Sequence, residues 1–285
     1  MQTELTELSP TVMSLSQPTS ITLTRDELLV FLTLLGVPGI NGLDSEEIEK
    51  LGKHELTSRL NCGEQMLLVR NLIVPIDSGE FEIDDKLAAL VGASALPESS
   101  LLINRIYPDG HNEAHFFNIG HGLIVEQSSP RVGIHQFEHI PDHVAFSERM
   151  KQLFTVYPDF SSSPSASKCL VDSETLHSTI DLARSGHTQE AVSNFVRCGC
   201  TIDMATSLVQ GLNTQPFWIS IAGVNLHSVH PEIAGTVMII TSETELWLLE
   251  SSVDQEDRVV VHAASGAECQ TAIHNLVPKL FQAKQ

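Results

Sequence analysis

The apolar positions of this chain follow a helical period, then a strand period, and then repeat the pair. After Thr24, the residues Leu28, Phe31, Leu32 and Leu35 recur at helical spacing and end at Gly36. Thr24-Arg25-Asp26-Glu27 has the form of a capping box, and a glycine just past the last turn is a helix stop. Further helices are expected over Asp44 to Arg59, over Gly63 to Arg70, and from Asp84-Asp85 to Val91. The period then changes. Leu101-Leu102-Ile103 reads as a strand after Pro97. Ala114 to Ile119 and Leu123 to Ser128 flank Gly120-His121-Gly122 as a hairpin would. Val132 to Phe137 gives another strand. Phe146 to Phe154 gives an amphipathic helix with Met150, Leu153 and Phe154 on one face.

The same order returns downstream. Ser173 to Arg184 and Gln189 to Arg197 read as helices, with Gly186 and Gly199 as stops. Leu208-Val209 matches Leu90-Val91, and Ile219-Ser220-Ile221 matches Leu101-Leu102-Ile103, both at an offset of 118. Pro216 precedes the second strand as Pro97 precedes the first. Gly235 to Ile240 and Leu246 to Ser251 form the second hairpin, around Thr241 to Glu245. Val259 to Ala264 follows, with His262 matching His135 at an offset of 127. The final helix, Ala267 to Phe281, opens on a second capping box, Ser265-Gly266-Ala267-Glu268. It places Ile273, Leu276, Val277, Leu280 and Phe281 at helical spacing, and Phe281 matches Phe154, again at 127. Self-similarity in order and type predicts two copies of one unit.

The expected fold class is α+β, a pseudo-twofold repeat with a mostly antiparallel central sheet flanked by helices. Residues 1–20, rich in Ser, Thr and Pro, read as a disordered tail. Residues 21–157 form the N-terminal copy, 158–168 a Ser/Pro linker, and 169–285 the C-terminal copy, the two making one compact fold. An antiparallel sheet can leave one face open, and such a face is a natural docking surface.

Composition narrows the function. A net charge of −20 repels phosphate backbones and anionic lipid, so neither nucleic acid nor membrane is expected as a partner. No apolar run reaches the roughly 20 residues that span a bilayer, and the N-terminus is not a secretory signal, which reads as a cytoplasmic protein. The cysteines are Cys62, Cys169, Cys198, Cys200 and Cys269, odd in number and irregular in spacing. That argues against a disulfide framework, and Cys198-Gly199-Cys200 reads as buried or half-buried thiols.

Catalytic signatures are missing. There is no phosphate-binding glycine loop, no nucleophile elbow and no zinc-protease motif. The acidic pairs Glu46-Glu47 and Asp84-Asp85 sit at helix starts, where they complement the dipole. Histidine alone is conspicuous: His111, His115, His121, His135, His139 and His143 lie close together. They read as solvated strand and loop histidines. The alternative is a metal-dependent enzyme in which His121, His135 and His139 hold zinc or iron, His135 and His139 sharing one strand face. Trp218 and Trp247 read as core residues of the second copy. No cofactor is expected.

Two stretches carry a resemblance. One is the helix Leu28 to Leu35 leading into Leu34-Leu35-Gly36-Val37-Pro38. The other is Leu67-Leu68-Val69-Arg70-Asn71-Leu72, similar to an L-x-x-R-G-L run with Asn71 where glycine is usual, followed by Asp84 to Val91. Together with the helix pair, strand set and last helix of the C-terminal half, they make residues 21 to 283 resemble the EspG-like secretion-associated chaperones of type VII (ESX) secretion. The resemblance implies a pseudo-symmetric fold around a central sheet. It also implies a cytosolic, non-enzymatic chaperone that binds the helical tip of a PE–PPE protein pair before export. It assigns no partner-binding residue and sets no oligomeric state.

Overall fold

A computed structural model describes residues 19–37, 39–43, 48, 50–77, 79–154, 167–214, 216–226, 231–242, 245–252 and 257–281. The expected tail to residue 18, the linker to residue 166, the start of the helix expected from Asp44, and part of the Thr241–Glu245 turn lie outside them, as does the Phe281 side chain.

The described chain begins with strand β1 (Ser20–Thr24), helix α1 (Arg25–Leu35), helix α2 (Lys53–Val69), the short strands β2 (Ile73–Pro75) and β3 (Phe81–Ile83), and helix α3 (Asp85–Ala95). Four strands follow: β4 (Ser99–Ile106), β5 (Asn112–Gly120), β6 (Leu123–Arg131) and β7 (Ile134–Ile140). Helix α4 (His143–Phe154) closes the series. The second series is β8 (Cys169–Asp172), α5 (Ser173–Arg184), α6 (Thr188–Arg197), α7 (Ile202–Asn213), β9 (Phe217–Asn225), β10 (Glu232–Thr241), β11 (Leu246–Ser251), β12 (Arg258–Ala264) and α8 (Gly266–Phe281). The fold class is therefore α+β, with ten strands ordered β1-β7-β6-β5-β4-β9-β10-β11-β12-β8 and a separate β2–β3 pair. Every pairing with a described register is antiparallel.

The first strand of each series returns beside the last strand of its own run, β1 on β7 and β8 on β12. Neither β1 nor β8 was read from the sequence. Each is short and runs straight into an N-cap, Thr24 or Asp172, so its apolar alternation is too brief to register. The β4–β9 register is symmetric about one residue pair. Ile103 faces Ile221, two positions 118 apart in the chain. Leu101 faces Gly223 and Arg105 faces Ile219, which exchanges the same two offset positions.

Contacts group the chain into two compact units, 1–98 with 117–148, and 99–116 with 149–285. In the first, Leu23, Leu28, Phe31, Leu67, Leu87, Val91, Val125 and Phe137 form one buried cluster between α1–α3 and β1, β6 and β7. Thr24 caps α1 in the expected box: Glu27 N–H donates to Thr24 Oγ1 at 3.2 Å, and Thr24 N–H donates to Glu27 Oε2 at 2.7 Å. Gly36 ends the helix at a φ of 67°. Glu27 is fully buried and also meets Arg70, whose Nη1 donates to Glu27 Oε1 at 2.6 Å while Nη2 donates to the carbonyl of Thr22 at 2.9 Å. Arg70 thus joins the end of α2 to the start of α1 and to β1. The next residue, Asn71, has a φ of 54°, and Leu72 N–H donates back to the Leu67 carbonyl at 2.9 Å. That left-handed turn is a helix stop normally made by glycine, and asparagine is the side chain that tolerates it best.

The two helices expected over Asp44 to Arg59 and Gly63 to Arg70 are corrected within the described residues to one helix, Lys53–Val69, with Gly63 inside it. Its reason is packing, since a Cβ at Gly63 would run into the carbonyl of Asp26 on α1. A Gly63→Ala substitution is expected to destabilise the protein by about 1–3 kcal/mol although alanine is the better helix former, because the clash is with backbone. Equilibrium urea unfolding checks this; a stabilised variant would show that α1 and α2 are less closely packed.

In the second unit, α5–α7 cover β8 and β10–β12. Leu176, Ile180, Phe195, Leu208, Leu212, Ile240, Trp247, Leu249 and Val261 form the cluster between them. Ser265 and Glu268 make the second capping box: Ser265 N–H donates to Glu268 Oε2 at 2.8 Å, and Glu268 N–H to Ser265 Oγ at 3.3 Å.

Candidate partner-binding face

Strands β4 and β9 carry two different faces. On β9 the odd positions are buried and the even ones half-buried through most of the strand. A Cβ at Gly223 would touch Leu280 and Leu276, and Ser99 Oγ donates to the Leu280 carbonyl at 3.1 Å. The odd face is therefore packed beneath α8. The other face bears Leu102, Asn104 and Ile106 on β4 and Trp218, Ser220, Ala222 and Val224 on β9, all half-buried. Leu102 faces Ala222, Asn104 faces Ser220, and Ile106 faces Trp218. The strip is apolar at both ends with a polar pair, Asn104 and Ser220, in its middle.

One side of the strip has a wall. Trp218 packs against the α5–α7 cluster, and the Arg184 guanidinium at the end of α5 lies 5.7 Å from its ring centre. A tryptophan beside an arginine, next to a half-buried and largely apolar strip, is a residue combination enriched where proteins anchor a partner. The sequence read both tryptophans as core. Trp247 is buried, whereas Trp218 stands half-buried at the rim.

Beneath the odd face lies a charged group that the sequence did not single out. Arg105 Nη1 donates to Glu113 Oε2 at 2.9 Å, and Tyr107 Oη donates to the same oxygen at 2.8 Å. The Arg105 guanidinium lies 5.3 Å from the Tyr107 ring centre and 5.8 Å from that of Phe217. Burial, then the hydrogen bond to Glu113, raises the Tyr107 phenol above its ordinary range. The arrangement braces the end of the β4–β5 hairpin against β9.

The histidine cluster behaves otherwise than expected. His135 and His139 do share a face of β7, with Phe137 between them, but both are buried instead of solvated. The face they occupy is the one that carries the Phe137 core contact, so burial follows from the register. His121 lies apart, exposed in the β5–β6 turn at a φ of 53°. Strand positions four apart are separated by about 13 Å, too far to share one metal ion. Among the described residues, no group of three or more His, Cys, Asp or Glu is placed to hold a metal ion. His262, the offset counterpart of His135, is buried as well.

Burial holds His135 below the ordinary histidine value, and the Arg25 charge adds to this. The folded form thus prefers the neutral ring. As pH falls through about 6.5, the unfolded chain takes up a proton that the folded chain refuses, so stability falls with acid in that window. Urea midpoints at pH 7.5 and 5.5 should show the loss, and His135→Gln should reduce it. An unchanged pH dependence in that variant would assign the effect to other groups.

One pair of cysteines is not the pair of thiols that the sequence predicts. Cys169 and Cys200 are disulfide-bonded, with Cα atoms 5.1 Å apart, and both are buried. They were 31 residues apart in sequence, and only the antiparallel return of β8 to β12 beneath the α6–α7 turn brings them together.

No protein-family model and no curated protein matches this sequence. Solved structures do. The chaperone EspG5 of the Mycobacterium tuberculosis type VII secretion system, solved in complex with a PE25–PPE41 dimer, superposes with a TM-score of 0.64. The match covers 92% of this chain and 97% of that one, at 12% sequence identity. The chain has an EspG-like fold. At that identity the likeness is one of backbone architecture, extending over almost the whole of both chains. No described helix is long and apolar enough to cross a membrane.

Proposed function

We propose that this chain is a non-enzymatic cytosolic chaperone or adaptor, built from two copies of one strand–helix–meander–helix unit, that holds a secreted helical protein pair of the PE–PPE kind. The observation that carries the reading is the EspG-like fold along nearly the entire chain, the similar EspG5 having been solved with a PE–PPE dimer. The half-buried strip Leu102, Ile106, Trp218, Ala222 and Val224 supports it as the docking face. Apolar ends would bury against a partner's apolar helices, while Asn104 and Ser220 fix orientation by hydrogen bonding. The acidic charge keeps the free chaperone soluble and favours a partner whose rim is less acidic. The pairing of Ile103 with Ile221 at an offset of 118 supports the duplication.

The test is co-expression with a PE–PPE-type dimer, followed by size-exclusion chromatography. One stable complex of fixed stoichiometry is expected. Separate elution of the chain and every such dimer tried would remove the proposal.

A further inference from the structure

We propose that Cys169, Cys198 and Cys200 form a thiol–disulfide latch that couples the edge strand β8 to the α6–α7 turn, with Cys198 as its point of entry for a small-molecule disulfide. The Cys169–Cys200 bond closes the loop that contains α5, α6 and the start of the turn. Its two ends belong to a short edge strand and to a helix-to-helix turn, both packed into the buried cluster of this unit. β8 has four residues and one described neighbour, β12, and the turn rests on Gly199 at a φ of 95°. Both bonded cysteines are buried, so a reagent in solution does not meet them directly. Cys198 is half-buried, stands two residues from Cys200, and its carbonyl lies 3.5 Å from the Cys169 sulfur. The most accessible thiol of the cluster is thus tied by a two-residue span to one buried partner and touches the other through its backbone.

The chemistry balances without any group beyond a low-molecular-weight disulfide. In the reduced cluster, the Cys198 thiolate attacks that disulfide, forming a mixed disulfide and releasing one small thiol. The Cys200 thiolate attacks the Cys198 sulfur and releases the second small thiol. The Cys169 thiolate then attacks Cys200, forming the Cys169–Cys200 bond and returning Cys198 as a free thiol. Two protein thiols are oxidised, and one small disulfide is reduced to two thiols. Burial raises the Cys198 thiol above its ordinary range, and the Asp172 carboxylate adds to this. Entry is therefore slow at neutral pH and faster as pH rises. An intramolecular bond of this kind, formed and broken by small thiols, is what a redox-sensing site uses where thiols are otherwise kept reduced.

The latch matters for the helical layer that walls the Trp218 strip. Closing a loop of this length should raise the melting temperature by roughly 6–12 °C. The experiment treats the full-length reduced chain with oxidised glutathione, quenches by alkylation at intervals, and maps cysteines by peptide mass. The expected end state is a Cys169–Cys200 cross-link with Cys198 alkylated and a raised melting temperature. Cys198→Ser should reach the same end state at least tenfold more slowly. Cys169→Ser should show no rise in melting temperature. Alkylation of both Cys169 and Cys200 after prolonged oxidation would overturn the latch. Oxidation of Cys198→Ser at the wild-type rate would overturn the role of Cys198. A reduced chain that will not refold is replaced by the reverse measurement, release of the bond from the native protein by reduced glutathione, with the same two variants and the same readings.

Discussion

Replacing Arg70 by alanine is expected to destabilise the protein by about 2–3 kcal/mol. Glu27 is fully buried, and its two oxygens are divided between Arg70 and the Thr24 backbone. Removing the guanidinium leaves a buried carboxylate with one partner where it had two. Breaking a fully buried pair by deleting one member costs roughly 3–5 kcal/mol. The Arg70 side chain is 40% exposed, so water can partly replace it, which places the cost below that range. The Thr22 carbonyl loses its donor at the same time. Arg70→Lys should recover only part of the loss, since an ammonium cannot reach Glu27 and Thr22 with the same fork. Urea unfolding at pH 7 gives the comparison. A change below about 0.5 kcal/mol for Arg70→Ala would mean that water already satisfies Glu27.

Ala222→Arg is expected to weaken partner binding by roughly 100-fold, about 2.7 kcal/mol, with little change in stability. Ala222 faces Leu102 and Thr236 in the middle of the half-buried strip. In the free protein an arginine there can lay its stem along the strip and keep its head in water. In a complex the same head becomes a buried, unpaired charge. Titration calorimetry with a PE–PPE-type dimer, beside thermal unfolding of the variant alone, separates the two effects. Undiminished affinity would move the docking face elsewhere on the fold.

Much of the architecture was legible because it rests on periodicity and caps. The box at Thr24 and Glu27, the stop at Gly36, the hairpin at His121-Gly122 and the long antiparallel strands all follow from local chemistry. Other features depend on what lies across the fold. Gly63 looks like a helix boundary until α1 is placed against it. Arg70 reads as one basic residue of a generic run until Glu27 is found buried 43 positions earlier. Asn71 is the exception that could be read in advance, since a position where glycine is usual and asparagine substitutes is a left-handed turn. The histidines misled for a related reason. Polar residues at alternating strand positions suggest a wet face, and only the packing of Phe137 against α1–α3 shows which face is covered. The β4–β9 strip carries no motif at all. Leu102, Ser220 and Ala222 are ordinary strand residues, and only the register that sets them side by side makes them one surface.

Purification of the tagged full-length protein from its own cells tests most directly the proposal that this chain holds a helical export pair on the strip beside Trp218. Mass spectrometry is expected to find a PE–PPE-like pair in stoichiometric amount, and Ala222→Arg to lose it while staying folded. A wild-type chain that elutes alone, or one whose companions survive Ala222→Arg unchanged, would contradict it.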